Sequence, residues 1–201
     1  MCYVRVFIRA FIWGFNYVGV VVKLIHVTEV MSPFMDFSMI KPEVLEYASE
    51  RGTRIHSVIS DMLNGYWLPK IDDDIKGYIQ SFRFFRNNIF RTVFTEKTFE
   101  DELYGLTGTL DFGGYLKDRP KDFTIIDWKS PVNTSRTWHG QLCCYAYLVE
   151  KNTDLNVKRI GSFQPDPKGG PGKMNWYKDS ARVWEAYLCA LHAYRFFKLG
   201  G

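Results

Sequence analysis

Hydrophobic side chains recur every three to four residues after residue 40, and this period predicts amphipathic helices. Pro42 suits the first turn of a helix that runs to Arg51, because a proline there loses no hydrogen bond that the helix needs. Gly52 is expected to end this helix, and Thr53 can cap a second helix that extends to about Asn64. The pattern therefore predicts an N-terminal helical region.

A third helix and a change of period follow. The acidic residues 72–74 suit the N-terminus of a helix whose apolar positions continue to about Phe90. Beyond it, segments rich in Thr, Phe, Ile and Leu predict strands at 92–99, 105–116 and 122–129. These three strands are expected to form an antiparallel meander.

The last third of the chain alternates between the two patterns. It predicts a helix over about 135–150, two short strands within 157–178 and a final helix over about 180–198. Helices, then a meander, then a helix and more strands indicate an α/β or α+β fold. We expect residues 25–201 to form one domain of this class.

Residues 1–24 form an apolar N-terminal extension whose role the sequence leaves open. The thirteen residues from Ala10 to Val22 include only Asn16 as a polar residue, and Arg5 and Arg9 precede them. Basic residues before an apolar stretch are typical of a signal peptide, but no small-x-small cleavage site follows, and the stretch is short for a membrane span. An additional β-rich segment or an extension from a misassigned start is favoured over a membrane anchor.

The composition narrows the class of protein. The chain has 201 residues, 46% of them hydrophobic and 24% charged, so global disorder is excluded. It contains no run of 18 apolar residues, and we expect no membrane association. Its four cysteines include no spaced pair that could form half of a zinc or iron–sulfur site, which indicates free thiols in a reducing compartment.

The most informative chemistry lies in the predicted hairpin. A hairpin whose turn is residues 117–121 is centred on residue 119 and places Asp111 opposite Asp127. Their Cβ atoms would lie about 5 Å apart, and two facing carboxylates repel unless a positive charge lies between them. Carboxylate oxygens are ligands that Mg²⁺ or Mn²⁺ prefers, so the pair predicts a site for a divalent cation. The alternative is a surface hairpin with acids that only aid solubility.

Three further polar residues are expected near this pair. Lys129 lies two residues beyond Asp127 and so projects from the same face of its strand, where its ammonium can orient water or balance the charge of a phosphate. Gln141 and Tyr145 share one face of the next helix, where they could contact a phosphate or hold the lysine. They could equally form a polar rim beside the core.

Four motifs in this order resemble the RecB-like branch of the PD-(D/E)XK nuclease superfamily, which includes viral, bacterial and mitochondrial exonucleases. The motifs are Arg51-Gly-Thr-Arg-Ile-His56, Gly108-Thr-Leu-Asp111, Asp127-Trp-Lys129 and Gln141-Leu-Cys-Cys-Tyr145. Each motif is common alone, but their order and spacing over about residues 27–150 are specific. The resemblance implies a restriction-endonuclease-like core, in which helices flank a mixed central sheet.

The resemblance also implies roles for individual residues. His56, Asp111 and Asp127 would bind Mg²⁺ or Mn²⁺ together with the backbone carbonyl of Trp128, and an imidazole ligand favours Mn²⁺. Lys129 would be the catalytic lysine.

The helix motif and an upstream glutamate complete the implied site. Gln141 and Tyr145 would steady the active site or the DNA. An upstream glutamate often accompanies such sites, and both Glu96 and Glu102 are candidates, of which Glu96 is preferred. The cysteines lack the four separated positions of relatives that carry an iron–sulfur cluster, so no cluster is expected.

Basic residues late in the chain suggest where nucleic acid could bind. Six of them fall between residues 156 and 182, together with Trp176 and Tyr177, which could stack on bases. These basic residues are Lys158, Arg159, Lys168, Lys173, Lys178 and Arg182. A solvated loop beside a core aromatic pair is the alternative.

The sequence thus predicts a metal-dependent nuclease that acts on linear single- or double-stranded DNA. An exonuclease in DNA recombination, DNA repair or viral DNA processing is favoured by resemblance alone, and a structure-specific endonuclease or an inactive nucleic-acid-binding module is the alternative. In the proposed reaction, water attacks the phosphodiester in line while the cation and Lys129 stabilise the added negative charge. We expect such a protein in a bacterial or viral-host cytoplasm, where a helicase or recombination protein could be its partner.

Overall fold

The computed structural model of the protein describes residues 3–6, 20–68, 70–131, 133–178 and 181–200. Its helices are α1 (Val27–Met31), α2 (Pro42–Asn64), α3 (Lys76–Arg86), α4 (Thr137–Asn152) and α5 (Ala181–Tyr194), with a 3-10 turn at Ser32–Phe34 and a π-helical turn at Arg195–Leu199. Its strands are β1 (Tyr3–Val6), β2 (Val20–Lys23), β3 (Ile25–His26), β4 (Ile89–Asp101), β5 (Leu106–Leu116), β6 (Arg119–Trp128), β7 (Val157–Gln164) and β8 (Lys173–Tyr177).

A mixed sheet flanked by helices forms the centre of the structure, which confirms the predicted fold class at this level. β5 pairs antiparallel with β4 and β6, and its first residues also pair with the short parallel strand β3. Helix α4 connects β6 to the parallel strand β7, and β8 returns antiparallel to β7. None of the helices in the described part of the chain is long and apolar enough to cross a membrane.

Two clusters of buried side chains lie on opposite faces of the sheet. Ile125 packs with residues of α1, α4 and α5, whereas the adjacent residue Ile126 packs with residues of α2 and α3. Because successive strand residues point to opposite faces, β6 contributes to both clusters. Residues 123–128 are accordingly all buried.

The register predicted for the hairpin is confirmed, but its turn is shorter than predicted. Phe112 pairs with Ile126 and Gly113 with Ile125, which is the register that sets Asp111 beside Asp127. The pairing shifts beyond Gly114, so only residues 117 and 118 form the turn, and residue 120 lies within β6. This shift is an irregularity in the pairing of β5 with β6, and the hydrophobic pattern of the sequence does not reveal such irregularities.

Two helix boundaries differ from the prediction. The two helices expected at 42–51 and 53–64 are one helix, because α2 continues through Gly52, and a single glycine costs a long helix only about 1 kcal/mol. The third helix ends at Arg86 rather than near residue 90, and β4 already begins at Ile89. The phenylalanine-rich residues 82–90 fit the period of a helix as well as that of a strand, so the hydrophobic pattern does not define where the third helix ends.

Part of the N-terminal extension is a strand pair, as the favoured β-rich alternative predicts. β1 and β2 pair antiparallel, with Tyr3 opposite Lys23. Most of the apolar stretch from Ala10 to Val22 lies outside the described residues, as does Cys2.

We predict that two glycine-to-alanine substitutions will change stability in opposite directions. A Cβ on Gly77 would lie 1.7 Å from the backbone carbonyl oxygen of Pro167, so Gly77→Ala should lower the free energy of unfolding by about 2 kcal/mol or more. A Cβ on Gly52 would meet only Ser130 Oγ at 3.7 Å, so Gly52→Ala should raise it by up to about 1 kcal/mol. Urea unfolding of both variants tests the pair, and equal effects would contradict the close packing at Gly77.

Candidate metal centre and active site

Three of the predicted site residues, His56, Trp128 and Lys129, line one cleft, and the others lie buried beside it. The cleft has a volume of about 650 Å³ and lies between α2 and the end of β6. Small side chains on one face of α2 form one wall, and Trp128, Lys129 and Ser130 form the other. His56 and Glu96 also line the cleft.

Asp111 is an acidic residue buried behind the cleft, in contact with His56. Its Oδ2 accepts a hydrogen bond from the backbone N–H of Trp128 at 2.7 Å, which joins β5 to the end of β6. Its Oδ1 lies 3.3 Å from Nδ1 of His56. Burial alone would raise the pKa of the Asp111 carboxyl, but the positive charge of His56 and its hydrogen bond hold this pKa below the ordinary value.

His56 reaches the site from the middle of α2. Its Nε2 lies 2.9 Å from the carbonyl oxygen of Trp128, and its Nδ1 lies 3.8 Å from Oε1 of Glu96. Burial lowers the pKa of His56, but the charge of Asp111 and a hydrogen bond to it outweigh that effect and raise the pKa to about 9. The protonated imidazole can therefore donate from Nε2 to the Trp128 carbonyl while its Nδ1–H faces the carboxylates of Asp111 and Glu96.

Glu96 completes this group through an unusual backbone conformation. It lies opposite Asp111 between the paired residues Thr95–Phe112 and Lys97–Leu110, and its φ of 48° is in the left-handed region. A non-glycine residue pays about 1–3 kcal/mol for such a conformation, which tends to occur at functional sites. Burial and the charge of Asp111 raise the pKa of Glu96 to about 7.

The structure separates the two glutamates between which the sequence could not decide. One ligand atom each from His56, Glu96 and Asp111 lie within 4.8 Å of one another. Glu102 lies instead in the turn after β4, six residues farther along the chain and about 20 Å away along an extended strand. Of the two, Glu96 is therefore the residue that could hold a metal ion.

Asp127 lies beside this group and is engaged by its neighbours. Its Oδ2 is 2.5 Å from Nζ of Lys129, and its Oδ1 accepts a hydrogen bond from Nε2 of Gln141 at 3.2 Å. Burial, together with repulsion by Asp111, raises the pKa of Asp127 to about 6, although Lys129 opposes the shift. The compact set of ligand atoms thus contains Glu96 rather than Asp127, whereas the resemblance implied Asp127 as a ligand.

Gln141 connects the acids to the lysine. Its Oε1 accepts a hydrogen bond from Nζ of Lys129 at 3.0 Å, and its Nε2 donates to Asp127 and, at 2.9 Å, to the hydroxyl of Tyr145. Gly108 leaves room for the Tyr145 ring, since a Cβ there would lie 2.6 Å from Cε1 of that ring. Buried polar groups that satisfy one another in this way hold the lysine in one position.

The donor set fits a divalent cation. An imidazole, two carboxylates and the Trp128 carbonyl form a mixed nitrogen and oxygen set that suits Mn²⁺ and, apart from the imidazole, Mg²⁺. Neighbouring carboxylates with raised pKa values, as at Glu96 and Asp127, repel the charge of Asp111, and a cation would relieve this repulsion.

No protein-family model and no curated protein matches the chain. The geometry and electrostatics of the cleft are therefore the observations from which a function can be inferred.

Proposed function

We propose that the protein is a metal-dependent deoxyribonuclease of the RecB-like branch of the PD-(D/E)XK superfamily, and that it removes nucleotides from the ends of linear DNA. The observation that carries this proposal is the close placement of the buried Asp111 and Asp127 against Lys129, His56 and Glu96, which line the cleft. Repelling acids next to a lysine are costly to a fold, which favours a chemical role for them.

Lys129 is the residue placed to act on the reacting atoms. Among the described residues its Nζ hydrogen-bonds to Asp127 and Gln141, and an ammonium has three donors. The remaining donor can orient a water molecule for in-line attack or bind the phosphate oxygen on which negative charge increases.

His56, Glu96, Asp111 and the carbonyl of Trp128 would hold the cation, with Asp127 adjacent. When bound, a divalent cation supplies Lewis-acid stabilisation of the charge on the phosphate oxygens. The backbone N–H of Lys129 donates to the carbonyl oxygen of Phe163 at 2.9 Å, which holds the orientation of the peptide whose carbonyl His56 contacts. We place this activity in the cytoplasm, alone or with a helicase or recombination protein.

The direct test is a cleavage assay with end-labelled DNA. Linear and closed circular DNA, each single- and double-stranded, would be incubated with the protein in Mn²⁺, Mg²⁺ or EDTA. Loss of linear substrate alone, only with metal, is the expected result, and the labelled end gives the direction of digestion. Cleavage of the circles would show that the protein is an endonuclease rather than an exonuclease. Binding of DNA without cleavage in either metal would show that it is a nucleic-acid-binding module and not a nuclease.

We predict that Gln141→Ala will lower kcat for DNA cleavage about tenfold and leave KM within about twofold of the wild-type value. The amide contacts Lys129 and Asp127 but does not line the cleft, so its loss should disturb the position of the lysine rather than the binding of DNA. Tyr145→Phe removes only a hydroxyl that contacts the amide, and its effect on kcat should be smaller. A rise in KM without a change in kcat would show that Gln141 binds DNA directly.

A further inference from the structure

A second cavity lies next to the cleft, on the side of the sheet that α4 covers. Its volume is about 940 Å³, and its walls come from the segment before α4, from β8 and from the start of α5. The motifs that define the active site do not include any of these residues.

The walls of this cavity carry positive charge. Arg136, Lys173 and Arg182 line it and are exposed, and the described residues that line it include no Asp or Glu. Within the described ranges, none of the three forms an ion pair. Unpaired cations in a concave surface attract a polyanion such as a nucleic-acid backbone.

An ordered aromatic surface lies at the rim of the cavity, on the opposite face of the edge strand β8, where the Trp176 indole packs over Gly161 beside Met174. Trp176 is 44% exposed, and the guanidinium of Arg159 lies 3.8 Å from the centre of its ring system. Arg159 is itself held by Asp118 at 3.0 Å, so the orientation of the indole is fixed before any ligand arrives. Exposed aromatic faces of this kind stack on bases of single-stranded nucleic acids.

A short segment of the chain connects the cavity to the active-site cleft. Pro131 lines the cleft and Thr134 lines the cavity, and three residues span at most about 11 Å. The carbonyl of Pro131 accepts a hydrogen bond from Gln164 at 2.7 Å, and Gln164 accepts one from Asn175 of β8 at 2.8 Å. These contacts hold β8 against the segment that follows β6, so the two depressions lie within the reach of a few linked nucleotides.

The cleft itself is narrow at one point. A Cβ on Gly52 of α2 would be in van der Waals contact, at 3.7 Å, with Ser130 Oγ on the opposite wall. His56 and Glu96 line the cleft between these same two walls. The walls therefore leave no passage for DNA at this point, and the space beside His56 and Glu96 suits a single strand better than the wider duplex.

We propose that the cavity and the cleft form one track for single-stranded DNA, in which Arg136, Lys173 and Arg182 bind phosphates and Trp176 stacks on a base. The assignment of the substrate class rests on the proposed nuclease function, but the binding track does not. It can therefore be tested where no cleavage occurs.

Fluorescence anisotropy of the full chain in EDTA measures binding without hydrolysis. The ligands would be a labelled 20-nucleotide oligothymidylate and a blunt duplex of 20 base pairs, and the variant would be R136A/K173A/R182A. We expect at least tenfold weaker binding of the single strand, and a salt dependence of log K reduced by about 2, since each phosphate contact on a single strand contributes about 0.7. Trp176→Ala should weaken binding about fivefold or more, without a change in the salt dependence.

A matched variant removes the same charge elsewhere. K117A/K121A/K158A changes three exposed lysines at the hairpin and at the start of β7, away from the cavity, and should change the affinity less than twofold. Equal effects of the two triple variants, or a loss of duplex binding as large as that of single-strand binding, would overturn the track. Wild-type protein that bound single strands through these residues but cleaved no DNA with metal would overturn the nuclease function and leave the track intact.

Discussion

Replacing Lys129 by alanine should reduce metal-dependent DNA cleavage at least about 10²-fold, because the variant lacks the ammonium that we propose to act on the reacting phosphate. Steady-state rates on end-labelled linear DNA measure the effect. Lys129 is mostly buried between Asp127 and Gln141, so its charge acts in a site with little water, where a donor contributes far more than on the surface.

Two comparisons separate a catalytic effect from a loss of folding. Without the ammonium, Asp127 can take up a proton, since its pKa is already raised to about 6, so Lys129→Ala should remain folded, as measured by circular dichroism. Lys121→Ala removes an exposed lysine in the strand that leads to the site and should leave the rate unchanged. Cleavage by Lys129→Ala within threefold of the wild-type rate would remove Lys129 from the mechanism.

The register of β5 and β6 near the site could be predicted from the sequence, because antiparallel pairing about residue 119 sets Phe112 opposite Ile126, as observed. This pairing does not extend to the turn, where Leu116 pairs with Arg119. The local structure near the turn could not be predicted in the same way. The shift after Gly114 and the short turn depend on contacts with other strands, which no local pattern records.

The role of Glu96 could be suggested but not decided from the sequence. Its carboxylate lies near His56 because the backbone at Glu96 adopts a positive φ within a strand, and no sequence pattern predicts that conformation for a glutamate. The sequence also does not predict the ion pairs of Arg54, which binds Asp72 at 2.7 Å and Asp74 at 2.6 Å. The acids precede the third helix, as predicted, and in addition they attach α2 to the loop before α3, close to the turn of α2 that carries His56.

Mn²⁺ should raise the thermal midpoint of the wild-type protein by about 5–10 °C at pH 8, and Asp111→Asn should abolish this rise. Metal at a hundred times its dissociation constant contributes about 2.7 kcal/mol, and a domain of this size shifts by about 2–4 °C per kcal/mol. Asparagine retains an oxygen that can accept the hydrogen bond from Trp128, but it removes the charge that a cation needs. Differential scanning fluorimetry with and without Mn²⁺ measures the shift.

The stabilisation by Mn²⁺ should also depend on pH, and its sign follows from the pKa values of the ligands. The pKa of Glu96 in the folded protein is about 7, above the ordinary 4.5, so proton binding by this carboxyl favours the folded state at low pH. The metal-free protein loses that stabilisation as the pH rises through about 7. His56, with a pKa of about 9 rather than 6.5, makes a stabilising contribution that is lost as the pH rises through about 9. Since Mn²⁺ must displace both protons, its effect should be smaller at pH 5.5 than at pH 8.

Substitution of each glutamate in turn tests which one belongs to the centre. Glu96→Gln removes a carboxylate from a crowded acidic group, so the metal-free variant should be at least as stable as the wild type at pH 8 while its response to Mn²⁺ falls sharply. Glu102→Gln makes the same chemical change in the turn after β4 and should keep the full response. If the two variants responded equally to Mn²⁺, or if the wild-type response were the same at pH 5.5 and pH 8, the cation would bind elsewhere than at His56, Glu96 and Asp111.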